Sequence, residues 1–234
     1  MTTSPTRQIQ PRPPAFRAAT SRKSTRKPGG KEEDGKTHTG SGHKSGTKPG
    51  AASVSRQDWI DYAMTILGEH GPDALRIERL CTGLGITKGS FYWHFKSSAA
   101  LRDAMLEHWQ YKETQAIIDE VETPPNAPLT KLELLFNKAN AGVVDFRAEM
   151  AVRQWALQDE QVARVVEAVD RRRLDFLYRQ FAALGFARSE TRLRARLLYS
   201  LMLGEAMIHE PEPRQTRKTR WRESFALLTG QSEN

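Results

Sequence analysis

The chain has 234 residues, of which 38% are hydrophobic, and it carries a formal net charge of +8. This is enough to bury the core of one compact body with a small head domain and an appendage. A single cysteine excludes an internal disulfide framework, and no apolar run approaches a signal peptide or the roughly 20 residues of a membrane span, so we expect a cytoplasmic protein.

The net charge is concentrated in the first 52 residues. This segment has eleven lysines and arginines against three acidic residues, whereas the rest of the chain has 25 of each. It is rich in Pro, Gly, Ser and Thr, so it cannot bury enough apolar surface to offset the entropy of ordering. We predict a disordered basic tail over residues 1–52 that attracts nucleic-acid phosphates. The alternatives are a merely solvated tail or a misassigned start codon.

A first helix is predicted to begin at Ser55, because Ser55 and Asp58 have the spacing of a capping box. Gly71 and Pro72 end it. Its buried stripe consists of Trp59, Ile60, Ala63, Met64 and Leu67.

A second, short helix ends at a glycine turn. Gly85 tolerates the positive φ needed where a helix stops, and Ile86 after it can point into the core. Cys81 falls on the buried face and is interpreted as a small apolar core residue rather than a redox sensor. Its companions on that face, at spacings of three and four, are Ile77, Leu80 and Leu84.

The nine residues TKGSFYWHF, 87–95, are the most informative of the chain. Thr87 is a suitable N-cap for a third helix, and Phe91 and Phe95 share one face that can pack on the second helix. An ordinary solvated helix would carry Glu and Lys on its other side. This one carries Lys88, Gly89, Ser90, Tyr92, Trp93 and His94.

Such a surface suits a DNA duplex, and two short helices joined by a turn form a DNA-binding hairpin. Lys88 and the helix N-terminus favour phosphate, and Gly89 lets the backbone approach a base edge. Tyr92 and Trp93 can contact a thymine methyl group, and Lys96 is placed for a backbone phosphate. The alternative is that both aromatic residues belong to the core of an ordinary helical protein.

Residues 55–101 resemble the TetR family of bacterial transcription regulators, and residues 85–95 match the family's recognition-helix pattern nearly position for position. The resemblance implies an all-α fold with a three-helix DNA-binding head over residues 53–100 and a ligand-sensing and dimerisation body over residues 101–234. It implies base contacts by Lys88, Gly89 and Tyr92. It implies phosphate contacts by Thr87, Ser90, Trp93, His94 and Lys96.

The sequence departs from the family pattern at three places. Arg76 stands where the second helix usually has a Ser or Thr cap, and we expect it either to weaken backbone contacts or to replace one of them. Ser98 stands where a further lysine often binds phosphate, and the long tail is unusual.

The remaining pattern is helical throughout. Ser97 or Ser98 is predicted to cap a long fourth helix that bridges head and body and ends near residue 123. Further helices are expected around residues 132–139, 146–157 and 161–184. A helix capped by Ser189 should continue to Ile208, and a last one should hold Trp221 and Phe225.

The last two helices are the candidate dimer interface, since similar proteins form a four-helix bundle there with a second copy. The predicted interface residues are Leu197, Leu201, Gly204, Glu205, Ile208, Trp221 and Phe225. The alternative is that this face is core of the monomer. The middle helices are predicted either to form a solid core or to enclose a pocket for a small apolar or aromatic effector. The candidate walls are Trp109, Phe136, Phe146, Met150, Trp155, Phe176, Tyr199 and Met202.

These patterns predict a homodimeric, nucleoid-associated regulator of a palindromic operator in double-stranded DNA, with no cofactor. The resemblance to the family implies that the regulator is a repressor and that the effector relieves repression. An enzyme is disfavoured because no nucleophile motif or phosphate-binding glycine loop occurs, and Glu205 and His209 alone make a poor metal site. The rival is a helical interaction protein, or an RNA binder led by the basic tail.

Overall fold

The computed structural model describes residues 54–123, 125–141, 145–208 and 210–231, and these contain helices and no β-strand. The all-α class is therefore confirmed. The predicted tail, residues 1–52, lies outside the described residues. No helix among the described residues is long and apolar enough to cross a membrane. The helices are α1 (Arg56–His70), α2 (Ile77–Leu84), α3 (Lys88–His94), α4 (Ser98–Gln110), α5 (Ala116–Glu122), α6 (Pro128–Asn140), α7 (Phe146–Ala156), α8 (Glu160–Ala183), α9 (Arg188–Glu205) and α10 (Arg214–Thr229).

Helix α1 begins and ends where the sequence predicts. The Ser55 hydroxyl accepts a hydrogen bond from the Asp58 amide at 3.2 Å, and the Asp58 carboxylate accepts one from the Ser55 amide at 2.7 Å. These bonds satisfy two otherwise unpaired donors of the first turn. The Ser55 hydroxyl also donates to the Asp58 carboxylate at 2.7 Å, and this bond, followed by the bond from the Ser55 amide, lowers the pKa of Asp58 below its ordinary value. Gly71, at φ 76°, follows the last turn.

The bridge from head to body is a helix with one irregular turn. Ser97 caps α4 by accepting a hydrogen bond from the Ala100 amide. A π-helical turn, Tyr111–Gln115, then leads directly into α5. The predicted fourth helix and its end are confirmed, but the sequence pattern did not predict the widened turn. Such turns are rare and are frequent at functional sites.

The buried residues form two clusters. The first joins α1–α4 to α7 and the start of α8, and includes Trp59, Phe91, Trp109 and Trp155. The second lies among α5, α6, α9, α10 and the later part of α8. The core beneath α1 therefore continues into α7 and α8, so a change in packing there reaches the head directly.

Two predicted details of α9 are wrong. Ser189 does not cap the helix, because α9 begins at Arg188 and Ala187 occupies the cap position without a side-chain hydrogen bond. Ile208 does not extend the helix either, because α9 ends at Glu205.

Candidate nucleic-acid interface

The turn between α2 and α3 depends on Gly85. This residue has φ 69° and ψ 30°, in the left-handed region that favours glycine. Its amide donates to the Thr82 carbonyl, and the Ile86 amide donates to the Cys81 carbonyl at 3.0 Å. This pair of bonds closes the end of α2 and sends the chain directly into α3.

Two phenylalanines fix α3 to the head. Phe91 and Phe95 are buried, which confirms the predicted core role of both. Phe91 meets Trp59 of α1 edge to face, with ring centroids 5.2 Å apart. Cys81 is also buried, and burial raises the pKa of its thiol, as expected of an unreactive core residue.

The opposite side of α3 displays large aromatic groups to solvent. Tyr92 is 57% exposed and Trp93 is 85% exposed. Two adjacent exposed aromatic residues form an apolar patch of the kind that often marks an interaction site. The alternative that these two aromatics belong to the core is therefore wrong. Arg76, Thr87, Lys88, Gly89 and Lys96 are exposed as well, and Ser90 and His94 are half-buried.

Several of the predicted contact residues already have partners in the protein. Lys88 Nζ lies 2.6 Å from Glu78 Oε1, and this hydrogen bond lowers the pKa of Glu78. Arg76 Nε donates to the Asp73 carbonyl at 3.3 Å. Sequence reasoning missed Glu78, although it lies on the exposed side of α2 one turn before the buried Cys81.

The side chains of His94 and Thr87 do not both have the contacts expected from the sequence. His94 Nε2 lies 3.0 Å from the Val54 carbonyl, so that nitrogen donates within the protein and ties the end of α3 to the start of α1. Thr87 occupies the N-cap position of α3, but its side chain makes no capping hydrogen bond.

No contact within the described part of the protein requires a glycine at position 89. A Cβ atom there would meet only Thr87 Oγ1, at the ordinary contact distance of 3.6 Å. Gly83 on α2 is different, because a Cβ there would overlap the Tyr62 hydroxyl group. The open space above Gly89 is therefore available to a molecule that approaches the backbone of α3.

The body contains a cavity of about 50 Å³ between the π-helical turn and helices α5 to α9. Phe146, Phe176, Tyr199 and Met202 are the predicted wall residues that line it. The other predicted wall residues lie elsewhere. Trp109 and Trp155 belong to the first core cluster, Phe136 belongs to the second, and Met150 is half-buried outside the lining.

A network of buried charges adjoins this cavity. Glu149, with no solvent exposure, accepts hydrogen bonds from Arg153 and Arg173. Asp170 accepts from Arg153 and from Tyr199, at 2.6 Å from the latter. Burial, followed by the bond to Asp170, raises the pKa of Tyr199 to about 12. Sequence reasoning missed this network, although charged residues such as Glu149 and Arg173 interrupt the apolar faces of α7 and α8.

The predicted dimer face is divided between exposed and buried residues. Leu197 and Ile208 are exposed, and Leu201 and Gly204 are half-buried. Trp221 and Phe225 are buried within the chain, because the Trp221 ring stacks on Phe136 with centroids 4.2 Å apart. Glu205 is half-buried and forms a bidentate ion pair with Arg220.

No group of three or more metal-ligating side chains occurs among the described residues. His209, the suggested companion of Glu205, lies outside them.

The sequence profile of bacterial regulatory proteins of the tetR family matches residues 60–105. The chain is 41% identical over 54 residues to the class D tetracycline repressor protein of Escherichia coli, covering 23% of this chain and 25% of that protein. It is 28% identical over 105 residues to the HTH-type transcriptional regulator AcrR of Shigella flexneri, covering 42% and 46%. The chain thus matches about a quarter of the length of the tetracycline repressor. These relatives are regulators and not enzymes.

Solved structures share the fold well beyond the head. A tetR-family regulatory protein from Rhodococcus RHA1 has a TM-score of 0.55 at 15% identity, covering 78% of this chain and 97% of that one. Reduced NemR from E. coli has a TM-score of 0.54 at 18% identity, covering 76% and 96%. At these identities the likeness concerns the fold alone.

Proposed function

We propose that this chain, which belongs to the tetR family of bacterial regulatory proteins, is a sequence-specific DNA-binding regulator of transcription. The observation that carries the proposal is the exposed aromatic side of α3, pinned beneath by Phe91 and Phe95. A helix held in this way can enter the major groove without disturbing its own core.

The residues of α3 divide by role. Lys88, Gly89 and Tyr92 contact base edges, and the open space above Gly89 supports close approach of the backbone. Phosphates are contacted by Arg76, Thr87, Ser90, Trp93, His94 and Lys96. For His94 such a contact would need a second ring proton on Nδ1, because Nε2–H is donated to the Val54 carbonyl.

The protein acts as a homodimer on a palindromic operator. One recognition helix buries little surface, and helix-turn-helix proteins reach adequate affinity by reading two half-sites roughly 34–36 Å apart. The exposed side chains of Leu197 and Ile208 support an interface on α9 and the segment after it. Trp221 and Phe225 would support that face from beneath rather than touch the partner.

The proposed organisation is a head over residues 53–100 and a body over residues 101–234, preceded by the basic segment 1–52. We assign repression to the operator-bound state and release to a small, mainly apolar effector in the body cavity. The helix formed by α4 and α5 would transmit the change, since it joins head to body. The effector need prefer the released state by only a few kcal/mol.

Selection of bound duplexes from a random pool, using the full chain, tests the proposal. We expect a palindromic sequence and a dimer-sized complex. The same selection without residues 1–52 should return the same sequence with weaker salt-dependent binding, since that segment supplies non-specific attraction. Preference for single-stranded or structured RNA without a duplex consensus would favour the RNA-binding alternative instead.

A further inference from the structure

We propose that the body cavity binds a small organic cation, with Glu113 as the residue that pairs with its positive charge. The inference rests on the proposed function only for the biological role of this ligand as effector. Binding itself follows from the chemistry of the cavity wall.

Most of the cavity wall is apolar, supplied by residues such as Ile117, Leu135 and Met202. The polar residues of the wall are Glu113, Thr114, Arg173 and Tyr199. A ligand therefore needs an apolar body, and its polar group has to meet this one cluster.

Two of these polar residues, Arg173 and Tyr199, have no hydrogen-bond donor left for an anion. The Arg173 guanidinium directs all five N–H groups at Thr114, Glu149, Tyr199 and the backbone carbonyl of Glu113. The hydroxyl of Tyr199 donates to Asp170. A carboxylate or phosphate ligand would have to displace Glu149, whose side chain has no solvent exposure. Displacement would strand that charge in the interior, which is strongly unfavourable.

The charges of the neighbouring network balance one another without Glu113. Arg153 and Arg173 are balanced by Glu149 and Asp170, and all four are joined by direct hydrogen bonds or through Tyr199. Glu113 is the remaining acidic residue of the wall. The ion-pair partner of Glu113, Lys112, is not a wall residue, so inside the cavity a ligand cation would meet an acidic residue that no cation of the wall pairs, whereas an anion would be repelled by it.

Glu113 is buried but weakly partnered. Its side chain is 3% exposed, and Oε2 accepts one hydrogen bond, from the Asp145 amide at 3.2 Å. Its nearest described cation, Lys112 Nζ, lies 3.7 Å from Oε1 and extends into solvent. A buried carboxylate without a close partner is costly, and pairing with a cation recovers part of that cost. Phe146 and Phe176 in the same wall can add cation–π attraction.

The place of Glu113 in the fold links binding to the head. Glu113 is the middle residue of the π-helical turn, and its carbonyl is held by Arg173 at 3.1 Å. A cation that draws the Glu113 side chain inward acts directly on this turn. Because the turn joins α4 to α5, it lies in the helix that leads from the head into the body.

The test compares n-butylamine, 1-butanol and butyrate, which share one apolar chain, by calorimetry on the full chain. Charge-assisted pairing predicts that the amine binds roughly tenfold to a hundredfold more tightly than the alcohol, and that butyrate binds most weakly. Glu113→Gln keeps the side-chain shape and the acceptor for the Asp145 amide. It should lower the affinity for the amine to the affinity for the alcohol. Glu107→Gln makes the same change at an exposed site of α4 and should leave all three affinities unaltered.

A pH series on the unmodified protein gives a second readout that needs no variant. Affinity for the amine should rise with pH as Glu113 loses its proton, while affinity for butanol stays constant. The charged groups facing Glu113 are Lys112, Asp145 and Arg173.

Equal binding of amine and alcohol, tighter binding of butyrate, or full amine affinity in Glu113→Gln would overturn the cation site. These measurements contain no DNA, so the two proposals fail separately. If the protein selects a duplex sequence but does not prefer the amine, only the cation site is refuted. If it binds the amine but selects no duplex sequence, only the regulator proposal is refuted.

Discussion

Truncation of Tyr92 to alanine separates base reading from folding. The side chain is 57% exposed, and its ring meets Phe91 only at one edge, with centroids 5.3 Å apart. Its removal opens no internal cavity, so the free energy of unfolding should change by no more than about 1 kcal/mol. A lost base contact is worth about 1–3 kcal/mol, which corresponds to roughly fivefold to 150-fold in operator affinity.

The assay is fluorescence anisotropy with the selected operator and a scrambled duplex at one fixed salt concentration. Tyr92→Ala should weaken operator binding while binding to the scrambled duplex hardly changes. Tyr111→Ala is the matched control, because Tyr111 is similarly exposed, at 62%, but lies on the bridge to the body. Unchanged operator affinity in Tyr92→Ala, or an equal loss in Tyr111→Ala, would refute the assignment of this face of α3.

Three further substitutions test other parts of the mechanism. Gly89→Ala should raise the melting temperature slightly, since alanine favours the helix and its Cβ fits the free protein, and should weaken operator binding in the same anisotropy assay; unchanged binding would contradict close approach there. Glu78→Gln should tighten binding to operator and scrambled duplex alike by up to roughly fivefold, because it frees Lys88; weaker binding would show that the pair positions Lys88 for the bases. Burial raises the pKa of Glu113, so the folded state loses stability as pH rises from 4.5 through that raised pKa. Glu113→Gln should therefore melt a few degrees higher than wild type at neutral pH, and the gap should close below pH 4.5; a gap independent of pH would exclude titration of Glu113 as its cause.

The head was predictable because its signals are local. Ser55 and Asp58 specify the start of α1 within four residues, and Gly85 specifies the turn by its own backbone freedom. Phe91 and Phe95 define the packed side of α3 by their spacing alone. In each case the deciding interaction joins residues that are close in the chain.

The body was less predictable because its deciding contacts join distant residues. Trp221 looks like an interface residue in sequence, yet the stack on Phe136, 85 residues away, buries it. The π-helical turn is supported by Arg173, whose guanidinium holds the Glu113 carbonyl across 60 residues. The periodicity of apolar residues along a helix does not indicate which side chain, distant in sequence, packs against it or forms an ion pair with it.

The distribution of charge explains why the head needs help to bind DNA. Residues 53–100 contain five basic and five acidic residues, and one of those bases, Lys88, is already paired with Glu78. Affinity for a polyanion normally comes from neutralised phosphates, and a neutral head supplies little of it. Its recognition helix instead offers shape, aromatic surface and hydroxyl groups, which discriminate between bases but attract weakly at a distance. The surplus of +8 lies before residue 53 in the sequence, so we propose that attraction to DNA and the reading of its sequence belong to separate segments of the chain.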